Sequence, residues 1–189
     1  MKNKKILVFG YGSLMSLQSL HATAPRAKNI QPAYIRGFIR DFSYWDPAGY
    51  TETNTELKGI PFCSLNLLQT GSNHNWVNGV VFEVDELDYH ELIRREDGQP
   101  PLKITAYHYA TDKPIGDVEL FTDLIPNGHF AKHNPAQDRY LGIALAAAYQ
   151  LGENFYQDFL NSTYVNNKVL AGLPGVVKEG WAGLGSTKI

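Results

Sequence analysis

The run Phe9-Gly10-Tyr11-Gly12-Ser13-Leu14-Met15, directly after the apolar stretch Ile6-Leu7-Val8-Phe9, constrains this chain more than any other segment. A β-rich run stops at two glycines, and Ser13 stands where a helix can begin, with its side chain as N-cap. Such a turn bares successive backbone N–H groups. With a helix N-terminus they form a small concave site for a carboxylate or phosphate oxygen. Glycine suits the turn because a side chain would block close approach and because such turns use φ > 0. By itself the run also fits a plain tight turn. It lacks the third glycine of a dinucleotide fingerprint and the Gly-Lys-Ser/Thr of a phosphate loop. Ser13 has no second flanking glycine, which argues against the nucleophile elbow of a serine hydrolase.

The 189 residues suffice for one domain with a real core. Eleven Tyr, nine Phe and three Trp favour strands and pocket walls, so a β-heavy α+β fold is expected. A net charge of −2 supplies no positive field to hold nucleic acid or an anionic membrane, so neither is expected as a partner. The single cysteine, Cys63, cannot form an intrachain disulfide. The apolar run after Lys5 is too short for a signal-peptide core, and no stretch approaches the length of a membrane span. A cytoplasmic location is the expectation.

Strands are expected at 5–9, 34–44 with a bend at Gly37, 59–68, 76–84, 103–109 and 118–122, the last closing a hairpin through Pro114-Ile115-Gly116. A short helix from Ser13 to about Leu20 follows the first strand. Another runs from Asp85 to about Glu96, with Asp85 as N-cap, Glu86 and Asp88 in its first turn and Gly98 beyond its end. A third starts at Asn134, with Pro135 in the first helical position and Gln137 as capping partner. Its stripe is Tyr140, Ile143, Ala144, Ala147 and Leu151, and Gly152 ends it. A short helix around Phe155–Leu160 comes next. The segment 46–57 reads as a loop, and the glycine-rich tail from Val169 to Ile189 as an irregular extension.

Tyr89, Leu92, Ile93 and Glu96 fall on one helical face, and three of the four are core-type residues. The Glu96 carboxylate is therefore turned inward, at a helix C-terminus whose dipole opposes negative charge. Both effects push its pKa upward, toward what a general base requires. An ordinary helix-end glutamate paired with a nearby arginine satisfies the same pattern. His129 and His133 stand four apart but in a segment broken by Gly128 and Asn134-Pro135, so solvated loop histidines are expected rather than metal ligands. Cys63, between Phe62 and Ser64-Leu65, reads as a small buried hydrophobe.

Together, Phe9-Gly10-Tyr11-Gly12-Ser13-Leu14-Met15 and Leu92-Ile93-Arg94-Arg95-Glu96-Asp97-Gly98 resemble the γ-glutamylcyclotransferase-like superfamily, which includes AIG2-like and ChaC-type proteins. Tyr-Gly-Ser-Leu after a strand is the more specific mark, and Leu-x-x-Arg-Glu with Tyr107 on the next strand the second. Ile35-Arg36-Gly37-Phe38, the strand from Val77 to Phe82 and the helix opening at Pro135 agree more loosely. The resemblance spans residues 5–165, which implies a domain over 1–165 and a C-terminal extension over 166–189.

What the resemblance implies is an α+β fold, a small mixed β-barrel-like sheet flanked by helices. It also implies cyclisation of a γ-glutamyl amine, amino acid or peptide to 5-oxoproline, with release of the attached amine. Tyr11, Gly12, Ser13 and Leu14 would hold the glutamyl carboxylate, Glu96 would act as the base, and Tyr107 would line the pocket. No metal or organic cofactor is implied. A ligand-binding module that uses the same pocket without turnover is the competing expectation.

Overall fold

The computed structural model describes residues 5–49, 56–96, 100–123 and 125–185. Five strands close a barrel in the order β1, β5, β2, β6, β7. These are β1 (Ile6–Gly10), β2 (Lys28–Arg36), β5 (Trp76–Val84), β6 (Leu102–His108) and β7 (Pro114–Leu120). Four pairings are antiparallel, and the barrel closes where β1 runs parallel to β7, so the sheet is mixed. A second sheet has the order β4, β3, β8, β9, from β3 (Phe38–Asp46), β4 (Phe62–Gln69), β8 (Thr163–Val165) and β9 (Lys168–Val169). The expected α+β architecture, a small mixed barrel flanked by helices, is the one observed.

The division of apolar residues follows strand alternation. Phe9, Ala33, Ile35, Val77, Val81, Ala106, Val118 and Leu120 form one buried cluster, in the barrel. Val8, Val80, Phe82 and Val84 belong to a second and larger one. There they meet Phe42 and Leu65 of the second sheet and the helices α3 (Pro135–Gln150) and α4 (Glu153–Ser162).

The segment expected as one strand over 34–44 is two. Gly37, at φ +86°, separates β2 in the barrel from β3 in the other sheet, so the chain changes sheets at a residue without a side chain. The hairpin turn also shifts. Pro114, Ile115 and Gly116 lie within β7, and the reversal falls at 109–113, where His108 N–H donates to Lys113 O at 2.8 Å and Asp112 takes φ +56°.

The helix expected from Ser13 is a 3-10 turn, Ser13–Met15, followed by α1 (Leu17–Thr23), whose N-cap is Ser16. Helix α2 (Glu86–Arg95) starts as expected at Asp85, which accepts from Asp88 N–H at 2.9 Å. Asp97 and Gly98 lie outside the described residues. Asn134 caps α3 by accepting from Ala136 and Gln137 N–H. The Gln137 side chain is not a capping partner. It brackets the Cys63 peptide, accepting from its N–H at 2.9 Å and donating to its C=O at 2.7 Å, and so pins α3 to β4.

The tail departs most from expectation. Rather than an irregular extension, it forms β9, a 3-10 turn at Leu170–Gly172 and α5 (Pro174–Gly183). Helix α5 packs on α3 through glycines: a Cβ on Gly142 would lie 2.4 Å from Gly180 O, and one on Gly183 would lie 2.4 Å from the Asp138 backbone. These glycines serve helix contact, which no periodicity along the tail itself could reveal.

Candidate active site

The turn after β1 is crowded rather than left-handed. Gly12 has φ −127°, and neither Gly10 nor Gly12 takes a positive φ, which corrects the conformational half of the argument from sequence. Close approach is the reason for both glycines. A Cβ on Gly10 would sit 2.9 Å from Leu14 Cβ, and one on Gly12 would sit 2.8 Å from Tyr140 Oη. The 3-10 turn closes through Met15 N–H to Gly12 O at 3.0 Å. The N–H groups of Ser13 and Leu14 precede its first internal bond.

Two phenols flank this turn. Tyr11 Oη donates to Phe121 O at 3.0 Å, fastening the turn to the end of β7. Tyr140, from α3, accepts from Leu65 N–H at 3.3 Å and lies within hydrogen-bonding reach of Ser13. Burial pushes both phenol pKa values up, and the Glu96 charge adds to the rise in each. The Glu96 charge is thus felt at both phenols. Glu96 is the C-cap of α2, and its side chain is 32% exposed, half-buried as the helical face predicts.

Arg95 joins the pieces. It donates to Ser13 Oγ at 2.9 Å and to Thr23 Oγ1 at 2.8 Å. It also donates to Ser19 O at 3.1 Å and Ser19 Oγ at 3.2 Å. Its Nε lies 3.7 Å from Glu96 Oε1. The Arg-Glu pair thus couples the end of α2 to α1 and to the glycine turn.

Tyr11, Gly12, Ser13, Leu14 and Glu96 are therefore brought together, and Tyr107 is not. Tyr107 stacks on Tyr34 with centroids 5.3 Å apart, under Arg36 at 4.9 Å. It pairs with Pro114 at the start of β7, whereas Tyr11 bonds Phe121 beyond its end. A groove of about 690 Å³ lies on the Tyr107 side, lined by Tyr34, Arg36, Trp76, Tyr109 and Asp158 among others, and includes no residue of the turn.

Tyr140 was legible only as part of an apolar stripe, although a hydroxyl in such a stripe is itself a signal. Arg40, in the run Phe38-x-Arg40-x-Phe42, carries no local signal beyond a cation on an apolar strand face. His129 and His133 are exposed in a non-helical segment, with His133 Nδ1 4.0 Å from Glu179. Cys63 is buried, and burial followed by the nearby Asp41 charge pushes its thiol up to about 11, as suits a packing residue. Among the described residues no helix is long and apolar enough to cross a membrane.

No protein-family model matches the chain, and no curated protein matches it in sequence. Solved structures do match in fold. A protein described as a γ-glutamyl cyclotransferase aligns with a TM-score of 0.62 at 17% identity, over 93% of this chain and 99% of its own. An uncharacterized human protein aligns at 0.59 and 18% identity, over 92% and 98%. A yeast γ-glutamyl cyclotransferase specific to glutathione aligns at 0.57 and 14% identity, over 96% and 97%. At such identities the likeness is one of fold. Closed barrel, second sheet and flanking helices together make this the γ-glutamylcyclotransferase-like fold.

Proposed function

We propose that this chain is a cyclotransferase that converts a γ-glutamyl amine, amino acid or peptide to 5-oxoproline and the released amine. The observation that carries this reading is the half-buried Glu96 carboxylate, 3.7 Å from the Arg95 guanidinium that donates to Ser13 of the glycine turn at 2.9 Å.

The α-amine of the substrate is ammonium at neutral pH and is no nucleophile until it loses a proton, so a nearby base is required. The ammonium gives its first proton to water, the free amine attacks the γ-carbonyl carbon, and Glu96 accepts the second proton, shed by the attacking nitrogen as the new bond forms. The tetrahedral adduct then collapses. The bond from carbonyl carbon to the original amide nitrogen breaks, and Glu96 returns the proton to that departing nitrogen. The turn formed by Tyr11, Gly12, Ser13 and Leu14 holds the glutamyl carboxylate, with the Ser13 and Leu14 N–H groups as donors. Anchoring it there folds the amine back toward the carbonyl and supplies the near-attack geometry. The scheme needs neither metal nor organic cofactor.

The test is 5-oxoproline release from glutathione, γ-glutamyl amino acids and γ-glutamyl amines, with wild type and Glu96→Gln side by side. Release by wild type and a loss of about 100-fold or more in the variant are expected, the range for removing a general base. Near wild-type release by Glu96→Gln would overturn the mechanism. Ligand-induced thermal stabilisation of both forms without any product would favour the binding module instead.

A further inference from the structure

We propose that Arg40 is a specificity-determining charge of this site, acting through space to favour ligands that bring a carboxylate to the turn after β1. The inference rests on the placement of the glutamyl carboxylate in that turn.

Arg40 is fully buried on β3. Its guanidinium donates to Thr163 Oγ1 at 3.1 Å, to Asn78 O, and to Asn78 Oδ1 at 3.2 Å, and its Cζ stands 4.3 Å over the Phe159 ring. Every one of these partners is neutral. Nε has no partner, and among the described residues no carboxylate is within ion-pair distance. A buried cation without a counter-ion is costly, and a structural strut between two sheets does not require one. Burial lowers its pKa to about 9, still above neutral, so the charge is kept.

The cation grips β5, the strand that pairs with β1 up to the turn. Asn78, which it grips, precedes Gly79, and a Cβ on Gly79 would sit 2.4 Å from Gly10 O. Its electrostatic neighbours are Tyr11 and Tyr140, the same two phenols that feel the Glu96 charge. Arg40 and Arg95 set against Glu96 leave one positive charge among these three groups. A γ-glutamyl substrate whose α-amine has given up its proton carries one negative charge at that end, on its carboxylate. Low local dielectric lets a cation that touches nothing in the pocket still act on this charge.

The experiment is calorimetric titration of wild type, Arg40→Met and Asn78→Asp with L-5-oxoproline and with its neutral carboxamide. Asn78→Asp places a carboxylate where Oδ1 already accepts from Arg40, so it neutralises the cation in place, and the new ion pair offsets the lost Asn78 bond to Phe155 O. Wild type is expected to prefer the carboxylate ligand by about tenfold or more. In both variants the preference should fall below about threefold, while carboxamide affinity stays within about twofold. Should Arg40→Met fail to fold, Asn78→Asp decides. No preference in wild type, no binding of either ligand, or a preference that survives Asn78→Asp would each overturn the proposal. Turnover is scored separately. Preferential binding without 5-oxoproline release removes the cyclotransferase reading and leaves this one standing, and release without preference does the reverse.

Discussion

Arg95 donates to Ser13 Oγ at 2.9 Å, so the last residue of α2 holds the glycine turn that follows β1. The two are 82 positions apart in sequence. The same guanidinium reaches Ser19 and Thr23 on α1 and approaches Glu96. Replacing Arg95 by Met removes these donors and keeps much of the aliphatic stem. A loss of about 2–3 kcal/mol is expected, the scale of hydrogen bonds to a charged group. Urea unfolding measures it. Turnover should fall at the same time, because the turn and Glu96 lose their common tether. An unchanged unfolding midpoint would show that the tether carries no stability.

Gly12 and Tyr140 form a second testable pair. Gly12→Ala places a methyl 2.8 Å from Tyr140 Oη, and the phenol must move off Leu65 N–H. Overpacking of this kind costs about 1–3 kcal/mol. Tyr140→Phe deletes the atom that is struck. Part of the Gly12→Ala loss should therefore return in the double variant, giving a coupling of about 1 kcal/mol in a double-mutant cycle. Simple additivity would show that the crowding is relieved some other way.

Acid should weaken the start of α2. Asp85 accepts from Asp88 N–H and pairs with Arg26, and these hold its carboxyl below the usual aspartate value, against the opposing effect of burial. A group whose pKa is depressed on folding stabilises above its unfolded value and loses that contribution as pH falls through the folded one. Its share of stability is thus intact at neutral pH and declines below about pH 4, the ordinary aspartate range. In Asp85→Asn this component should be missing. Denaturant midpoints between pH 7 and pH 2 test it, and parallel curves for the two proteins would contradict the assignment.

The glycines of the tail make a fourth case. Gly142 faces Gly180 O, and an added Cβ would stand 2.4 Å from that backbone oxygen, which no rotamer change can clear. Gly142→Ala should prise α5 from α3. A loss of about 1–3 kcal/mol in unfolding free energy is expected. Proteolytic cleavage should first appear between 166 and 185. A variant as stable and protease-resistant as wild type would mean that the α3–α5 contact is dispensable.

Local patterns fixed the parts of this molecule whose causes are local. The glycine turn after an apolar strand, the Asp85 and Asn134 caps, β5 over Trp76–Val84 and the inward face that carries Glu96 all follow from side-chain chemistry within a few residues. The tertiary structure decided what depends on contacts distant in sequence. It split 34–44 between two sheets at Gly37, because β2 pairs with β5 and β6 whereas β3 pairs with β4 and β8. It turned a glycine-rich tail into a helix, because Gly180 and Gly183 meet α3 rather than solvent. Gln137 became a bracket on Cys63, and Tyr140 became a wall of the site, each through a partner more than 70 positions away. Tyr107 came to stack on Tyr34, since its position follows from barrel register and not from its distance to Glu96 in the chain. Arg40 is the sharpest instance: within its own strand it shares the buried face of Phe38 and Phe42, and only the closing of the second sheet against the barrel leaves its charge buried without a counter-ion among the described residues.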